Sequence, residues 1–152
     1  MKPEQWRAGL VAALCLGMAG VVHAAGSPLK ITDAWVRWLP GDLPSAGYTT
    51  IANTSANPIA LLGADSPDYA MVMLHRSLES NGVERMEHVD RLEIPAHGSV
   101  ALAPGGYHLM LTRPTHPVAP GNTVHLHLHF SGSAGTLDVP FIVRPASAQG
   151  SS

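Results

Sequence analysis

The 152-residue sequence predicts a single all-β domain built as a sandwich of short strands. Three observations lead to this fold class. Helical periodicity is almost absent, short alternating runs of apolar and polar residues recur every 8–12 positions, and Pro and Gly separate those runs. The composition supports it, with 15 Gly and 13 Pro but only 13% charged residues. No internal repeat and no second domain is apparent.

Nine segments are predicted as strands because each alternates apolar and polar side chains or is rich in β-branched residues. Turn residues bound them, as in "LPGDLPS", "SNG", "PAHG", "PGG" and "APGN". In chain order the predicted strands are 30–39, 46–53, 58–65, 71–78, 83–89, 99–103, 107–112, 123–130 and 136–143.

The first 24 residues are predicted to be a cleaved signal peptide and not part of the fold. Lys2 and Arg7 precede an apolar stretch, and small residues lead to a cleavage site after Ala24. A membrane anchor is the alternative, but the apolar run falls short of the ~20 residues that span a bilayer. The mature domain is therefore predicted to be residues 25–152, with 145–152 as a disordered tail. Export to the periplasm is expected.

Charge and cysteine content exclude several classes of function. The net charge of −2 becomes −3 when Lys2, Arg7 and Glu4 leave with the signal peptide, so no basic surface for nucleic acid is expected. No apolar segment long enough to cross a membrane remains in the mature chain. The one cysteine, Cys15, lies within the signal peptide. Any metal chemistry of the mature protein must therefore use histidine, methionine or carboxylate.

Two pairs of histidine and methionine residues are the candidate site. His108 and Met110, in "YHLML", are two residues apart on a strand and share a face that we expect to be exposed, with Leu109 facing the core. The dipeptide at 81–82, Asn-Gly, predicts a two-residue hairpin. That turn pairs His75 with His88 and makes Met86 a diagonal neighbour of His75.

The ligand chemistry of this set favours Cu(I). Thioethers are neutral, soft ligands that select Cu(I), and imidazole adds affinity without charge. Zinc is usually held by thiolate, imidazole or carboxylate.

The spacing of these residues resembles that of the PCu(A)C family of periplasmic copper chaperones. It reads His75, ten residues, Met86, twenty-one residues, then His108-x-Met110, and "DAWVR", "AGYTTIANTS", "NGVERM" and "PGGYHLML" are also similar to the family. The resemblance covers about residues 29–143. It implies a cupredoxin-like Greek-key β-sandwich that binds Cu(I) through these four residues. It also implies delivery to the CuA centre of cytochrome c oxidase subunit II, beside a Sco-type thioredoxin-like copper protein.

Other functions are weighed against delivery. Copper sequestration or resistance without a dedicated oxidase acceptor is the main alternative, and an adhesion or structural sandwich is another. A blue-copper electron carrier needs a cysteine ligand, which the mature chain lacks. An enzyme is not expected, since no Ser–His–Asp arrangement or pair of carboxylates stands out.

Four further residues could add metal binding. In "HLHLHF", burial of Leu126, Leu128 and Phe130 would force His125, His127 and His129 to the solvent face of a strand, where they could offer a secondary Cu(II) or Zn(II) site. Met73 shares a strand face with His75 and is expected to be a spare thioether.

Overall fold

The fold is an assembly of ten strands and one 3₁₀ turn, seen in a computed structural model that describes residues 26–149. In chain order the strands are β1 (Leu29–Arg37), β2 (Ser45–Asn53), β3 (Ile59–Asp65), β4 (Tyr69–Ser80), β5 (Val83–His88), β6 (Leu92–Ile94), β7 (Ser99–Leu102), β8 (Tyr107–Pro114), β9 (Thr123–Phe130) and β10 (Thr136–Arg144). The 3₁₀ turn, Gly132–Ala134, separates β9 from β10.

The strands form one continuous hydrogen-bonded sheet that folds over itself. Its order is β5-β4-β8-β2-β1-β10-β9-β3-β6, and β7 pairs with β2 beside β8. Only β1 and β10 pair in parallel; the other pairs are antiparallel. Strands β3 and β4 lie near opposite ends of the path yet contact each other, so the two halves enclose a common core. The predicted all-β sandwich is confirmed.

Alternation along β9 fills the centre of that core. Val124, Leu126, Leu128 and Phe130 are all buried, together with Leu109 and Leu111 of β8 and Leu74 of β4. Each fully buried aliphatic or aromatic side chain contributes about 1.5–3 kcal/mol through removal of apolar surface from water. This burial fixes which face of every strand points outward, because neighbouring residues on a strand face opposite sides.

All nine predicted strands are present, with ends that differ by no more than two residues. The prediction missed β6, which has only three residues. Leu92 and Ile94 of β6 are buried against the core, while Glu93 between them is exposed. Three residues show a single alternation, which is too little for a pattern of period two to be recognised in the sequence.

The hairpin of β4 and β5 turns at Asn81 and Gly82 as predicted. Both residues have positive φ, 52° and 72°, as a type I′ turn requires. The register follows from the turn: Ser80 pairs with Val83, and Ser77 with Met86. Asparagine and glycine tolerate this backbone conformation better than other residues, so the local sequence determines the pairing of the whole hairpin.

Some predictions concern residues other than 26–149. The signal peptide, Cys15 and residues 150–152 lie outside the described residues. Within the predicted tail, the amide of Ala148 donates a hydrogen bond to the carbonyl of Pro145 at 2.9 Å. Between residues 26 and 149 no helix is long and apolar enough to cross a membrane.

Candidate metal centre

The candidate site lies on the outer face of three adjacent strands, β5, β4 and β8. His75, on the middle strand, pairs directly with His88 on one side and with His108 on the other. Residues that pair directly across two strands place their side chains on the same face. Leu74 and Leu109, the neighbours of His75 and His108, are buried in the core, so the three imidazoles form a row on the opposite face.

The rings of this row are closely spaced. The centroids of His75 and His108 are 5.9 Å apart, and those of His75 and His88 are 5.8 Å apart, both in edge-to-face geometry. Two imidazoles bound to one ion, with metal–nitrogen bonds of about 2.0 Å, have centroids roughly 5–6 Å apart. Each flanking histidine is therefore near the spacing at which it could share an ion with His75.

Methionines adjoin the row on both sides. Met110, two residues after His108, pairs directly with Met73 of β4, so both thioethers lie on the outer face. Met86 pairs with Ser77 and is diagonal to His75, as the hairpin predicts. Met110 is half-buried, whereas Met86 lies on the exposed strand β5 with 57% of its surface accessible. The fold thus brings His75, Met86, His108 and Met110 to one surface.

His108 differs from its predicted exposure. Its exposed fraction is only 5%, although it lies on the outer face. The ring is also oriented: Nδ1 donates a hydrogen bond to the carbonyl of Gly106 at 3.2 Å. Because a carbonyl can only accept, the proton of the neutral imidazole is on Nδ1, and the lone pair is on Nε2. Metal-binding histidines commonly have such a partner on the non-ligating nitrogen.

The environment of His75 favours its neutral imidazole, which is the form that binds metals. Burial lowers the pKa of its imidazole, and the nearby rings of His108 and His88 lower it further by repulsion in their charged forms. Its Nδ1 is buried and has no hydrogen-bond partner among the residues that the structure describes. A buried ring nitrogen without a partner is costly, and a metal ion on the outer face would relieve that cost.

The donor set fits a soft, monovalent copper ion. It offers two neutral imidazoles and two neutral thioethers, which together suit Cu(I). Across residues 26–149 no group of three His, Cys, Asp or Glu side chains is placed to hold a metal ion, so an arrangement typical of zinc is not seen there.

A cleft of about 450 Å³ adjoins the site and includes residues that the sequence did not indicate. Met86, His108 and Met110 line it, and so do Arg37 and Glu84. Register explains the position of Arg37: it pairs with Ala46 of β2, and Ala46 pairs with Met110. These strands are distant in sequence, so no local pattern could have predicted the proximity of Arg37 to Met110.

Trp35 and Tyr48 are buried on this outer face and not in the central cluster. Their ring centroids are 4.8 Å apart, and Arg37 stacks over both rings. The guanidinium of Arg144 covers Trp35 from 5.0 Å. Trp35 and Tyr48 are thus buried outside the central cluster, whereas Trp38 packs against that cluster.

The three histidines of β9 face solvent, as predicted, but each has a polar partner. The ring of His125 donates a hydrogen bond to the carboxylate of Asp138. The carboxylate of Asp65 accepts hydrogen bonds from Nδ1 of His127 at 2.7 Å and from Nε2 of His129 at 2.6 Å. The hydrogen bond from His127 is the main cause of the lowered pKa of Asp65. These rings are therefore engaged with carboxylates on β3 and β10.

Comparison with known proteins identifies similar sequences. A model of the LpqE-like family matches residues 29–143. A relative from Leifsonia xyli subsp. xyli (strain CTCB07), named "Putative lipoprotein Lxx21020", is 32% identical over 146 residues, which is 88% of this chain and 87% of the relative.

Solved structures match over most of the fold. The copper-bound PCuAC domain from PmoF2 has a TM-score of 0.66 and 25% identity, over 78% of this chain and 94% of that domain. The solution structure of Cu(I)-bound DR1885 from Deinococcus radiodurans has a TM-score of 0.60 and 31% identity, over 83% of each chain. The cupredoxin-like fold class expected from the sequence is confirmed by these matches.

Proposed function

The chain belongs to the LpqE-like family, which is the family of PCuAC domains, and on this premise we propose that it is a Cu(I)-binding metallochaperone. The observation that carries the proposal is the convergence of two imidazoles and two thioethers on one outer face of β4, β5 and β8. The copper-bound structures of similar PCuAC domains support a copper-binding chaperone role.

The proposed ligands are His75, Met86, His108 and Met110. His108 would bind through Nε2, since its Nδ1 is committed to the carbonyl of Gly106. Met110 lies beside His108 on the same strand face, and Met86 reaches the ion from the hairpin. All four donors are uncharged when bound, so the site favours Cu(I) over divalent ions.

Delivery would proceed by ligand exchange at the open side of this surface. A donor from the acceptor protein binds the ion first, and a thioether of the chaperone then leaves. Met86 marks the side from which the acceptor approaches, because it lies on an edge strand in which all six residues are exposed. Transfer in such steps keeps the ion coordinated throughout.

The proposed acceptor is the CuA centre of cytochrome c oxidase subunit II, with a Sco-type thioredoxin-like copper protein as a second partner. The resemblance of the sequence to the PCu(A)C copper chaperones supports both parts of this proposal. The proposed location is the periplasm, reached by means of a signal peptide at residues 1–24, with residues 25–152 forming the mature domain. Nothing in this role requires catalysis by the chain itself.

Sequestration of copper without an oxidase acceptor is the second candidate. It would use the same four ligands, and the exposed position of Met86 suits either role. The two roles differ only in whether a specific acceptor withdraws the ion.

Two measurements together test the proposed function. Anaerobic Cu(I) titration with X-ray absorption should give one ion per chain with nitrogen and sulfur neighbours. The copper-loaded protein should then metallate the apo copper domain of oxidase subunit II faster than free Cu(I) chelates do. Absence of sulfur neighbours would refute the ligand set, whereas tight binding without transfer would favour sequestration.

A secondary Cu(II) site on the β9 histidines remains a further proposal. It would require His127 and His129 to give up their hydrogen bonds to Asp65, or to share that carboxylate with the ion. A Cu(II) titration of the protein already loaded with Cu(I) tests it, with a variant in which His125, His127 and His129 are changed to Thr as the control. Loss of Cu(II) binding in that variant would support the secondary site, and unchanged binding would refute it.

A further inference from the structure

The unassigned member of the histidine row is His88. It pairs directly with His75, its ring centroid is 5.8 Å from that of His75, and it lies on the same face as Met86, two residues away on β5. The spacing on this side of His75 is nearly the same as the 5.9 Å on the side of His108. His75 is thus flanked symmetrically by two imidazoles, only one of which the four-ligand set uses.

One ion cannot bind both flanking rings closely. Strands β5 and β8 are separated by β4, so their backbones lie two strand spacings apart, or about 9.5 Å. An ion held between His75 and His108 is therefore displaced toward β8, and an ion held between His75 and His88 is displaced toward β5. His75 is common to both arrangements.

The surroundings of His88 are those of a ligand. Its Nε2 donates to the carboxylate of Asp90 at 3.0 Å, which leaves the lone pair of the neutral ring on Nδ1. A carboxylate on the non-ligating nitrogen is the usual companion of a metal-binding histidine. The side chain of His88 is 57% exposed, whereas His108 is almost fully covered.

We propose that His88, with His75 and Met86, forms a second, outer position for Cu(I) at the open edge of the sheet. This proposal rests on the proposed function and extends it. In moving outward the ion exchanges His108 and Met110 for His88 and keeps His75 and Met86 throughout. The outer set has three donors, two nitrogens and one sulfur, so one side of the ion is free for a ligand from the acceptor. No electron or proton needs to be transferred in this step.

Among the described residues, no three His, Cys, Asp or Glu side chains are placed to hold a metal ion. The proposed outer position is consistent with this finding, because its third donor is the thioether of Met86. The outer position uses only residues of the hairpin, and the turn at Asn81 and Gly82 fixes their register. It can therefore form without any rearrangement of the backbone.

A double-mutant cycle with His88→Gln and His108→Gln tests the outer position. Cu(I) affinity is measured anaerobically by competition with bathocuproine disulfonate. In the otherwise unchanged protein, His88→Gln should alter affinity by less than about threefold, because the inner position dominates. In the His108→Gln background the ion should rely on the outer set, so adding His88→Gln should weaken binding about tenfold or more.

Two further readouts separate this role from a structural one. The Cu(I)-loaded His108→Gln variant should retain two nitrogen neighbours and one sulfur by X-ray absorption, and lose one nitrogen when His88→Gln is added. Transfer to saturating chelator should also be slower by about tenfold in His88→Gln alone. His97→Asn is the control: it removes another exposed histidine, and asparagine tolerates the positive φ of 53° at that position.

The outcomes distinguish the two proposals. If His108→Gln weakens binding but His88→Gln has no effect in either background and transfer is unchanged, the outer position is refuted and the four-ligand site stands. If the unchanged protein does not bind Cu(I), the proposed function and the outer position both fail.

Discussion

Replacing the two proposed thioether ligands, one at a time, with leucine should weaken Cu(I) binding to different extents. Leucine has nearly the volume of methionine and no sulfur, so the change removes the ligand and preserves packing. Met110→Leu affects a half-buried side chain between Ala46 and Met73, whereas Met86→Leu affects an exposed one. We expect each variant to lose at least tenfold in affinity, with the greater loss for Met110→Leu.

The difference follows from the order of each side chain before copper binds. Fixing a flexible, exposed side chain costs about 0.5–1.5 kcal/mol in lost conformational entropy. Met86 is exposed, so the full cost applies when it binds copper. Met110 is already restrained by its neighbours and loses less. If the difference is about 0.5–1 kcal/mol, Met110→Leu should cost roughly two- to fivefold more affinity than Met86→Leu, since 1.4 kcal/mol corresponds to a factor of ten.

The assay is an anaerobic competition titration with a chelator that forms a coloured Cu(I) complex, with thermal unfolding as a check on the fold. Met71→Leu is a matched control, because Met71 lies on the same face of β4 but outside the proposed set and close to Arg113. A larger loss for Met86→Leu would refute the entropy argument. Unchanged affinity in both variants would refute the assignment of the thioethers.

Three further predictions concern neighbouring groups. Because burial and the adjacent rings lower the pKa of His75, protons should compete with Cu(I) for this ligand only below its ordinary pKa near 6.5; an NMR titration of the metal-free protein with a midpoint above 6.5 would contradict this. Met73→Ala should leave Cu(I) affinity unchanged but slow transfer, if Met73 acts as a spare thioether beside Met110; an unchanged rate would show that it has no role. Changing His125, His127 and His129 to Thr should preserve the fold and stoichiometric Cu(I) binding, and loss of the tight site in that variant would show that histidines of β9 bind Cu(I).

The parts of the site set by local sequence could be predicted, and those set by distant pairing could not. The turn at Asn81 and Gly82 fixes the register of β4 and β5, so the opposition of His75 and His88 was predictable. No turn connects β4 with β8, and more than twenty residues separate them. The direct pairing of Met73 with Met110 therefore depends on how the whole sheet closes.

Burial on the outer face was the least predictable property. Strand alternation correctly places His108 opposite Leu109, but it carries no information about what covers the side chain. The same holds for Trp35 and Tyr48, because alternation does not show what covers their rings. They are buried beneath two arginines that stack on their rings, a contact between β1, β2 and β10 that emerges only from the assembled sheet.

Strand β5, which ends the hydrogen-bonded path, also bears on how the protein avoids self-association. An edge strand presents unpaired amide and carbonyl groups that a second copy of the chain could extend into a larger sheet. Its sequence, "VERMEH", includes the charged residues Glu84, Arg85 and Glu87, all exposed. Two copies aligned along this edge would have to bring those charges together and remove them from water. The edge can thus remain open to the proposed metal acceptor while it discourages the pairing that leads to aggregation.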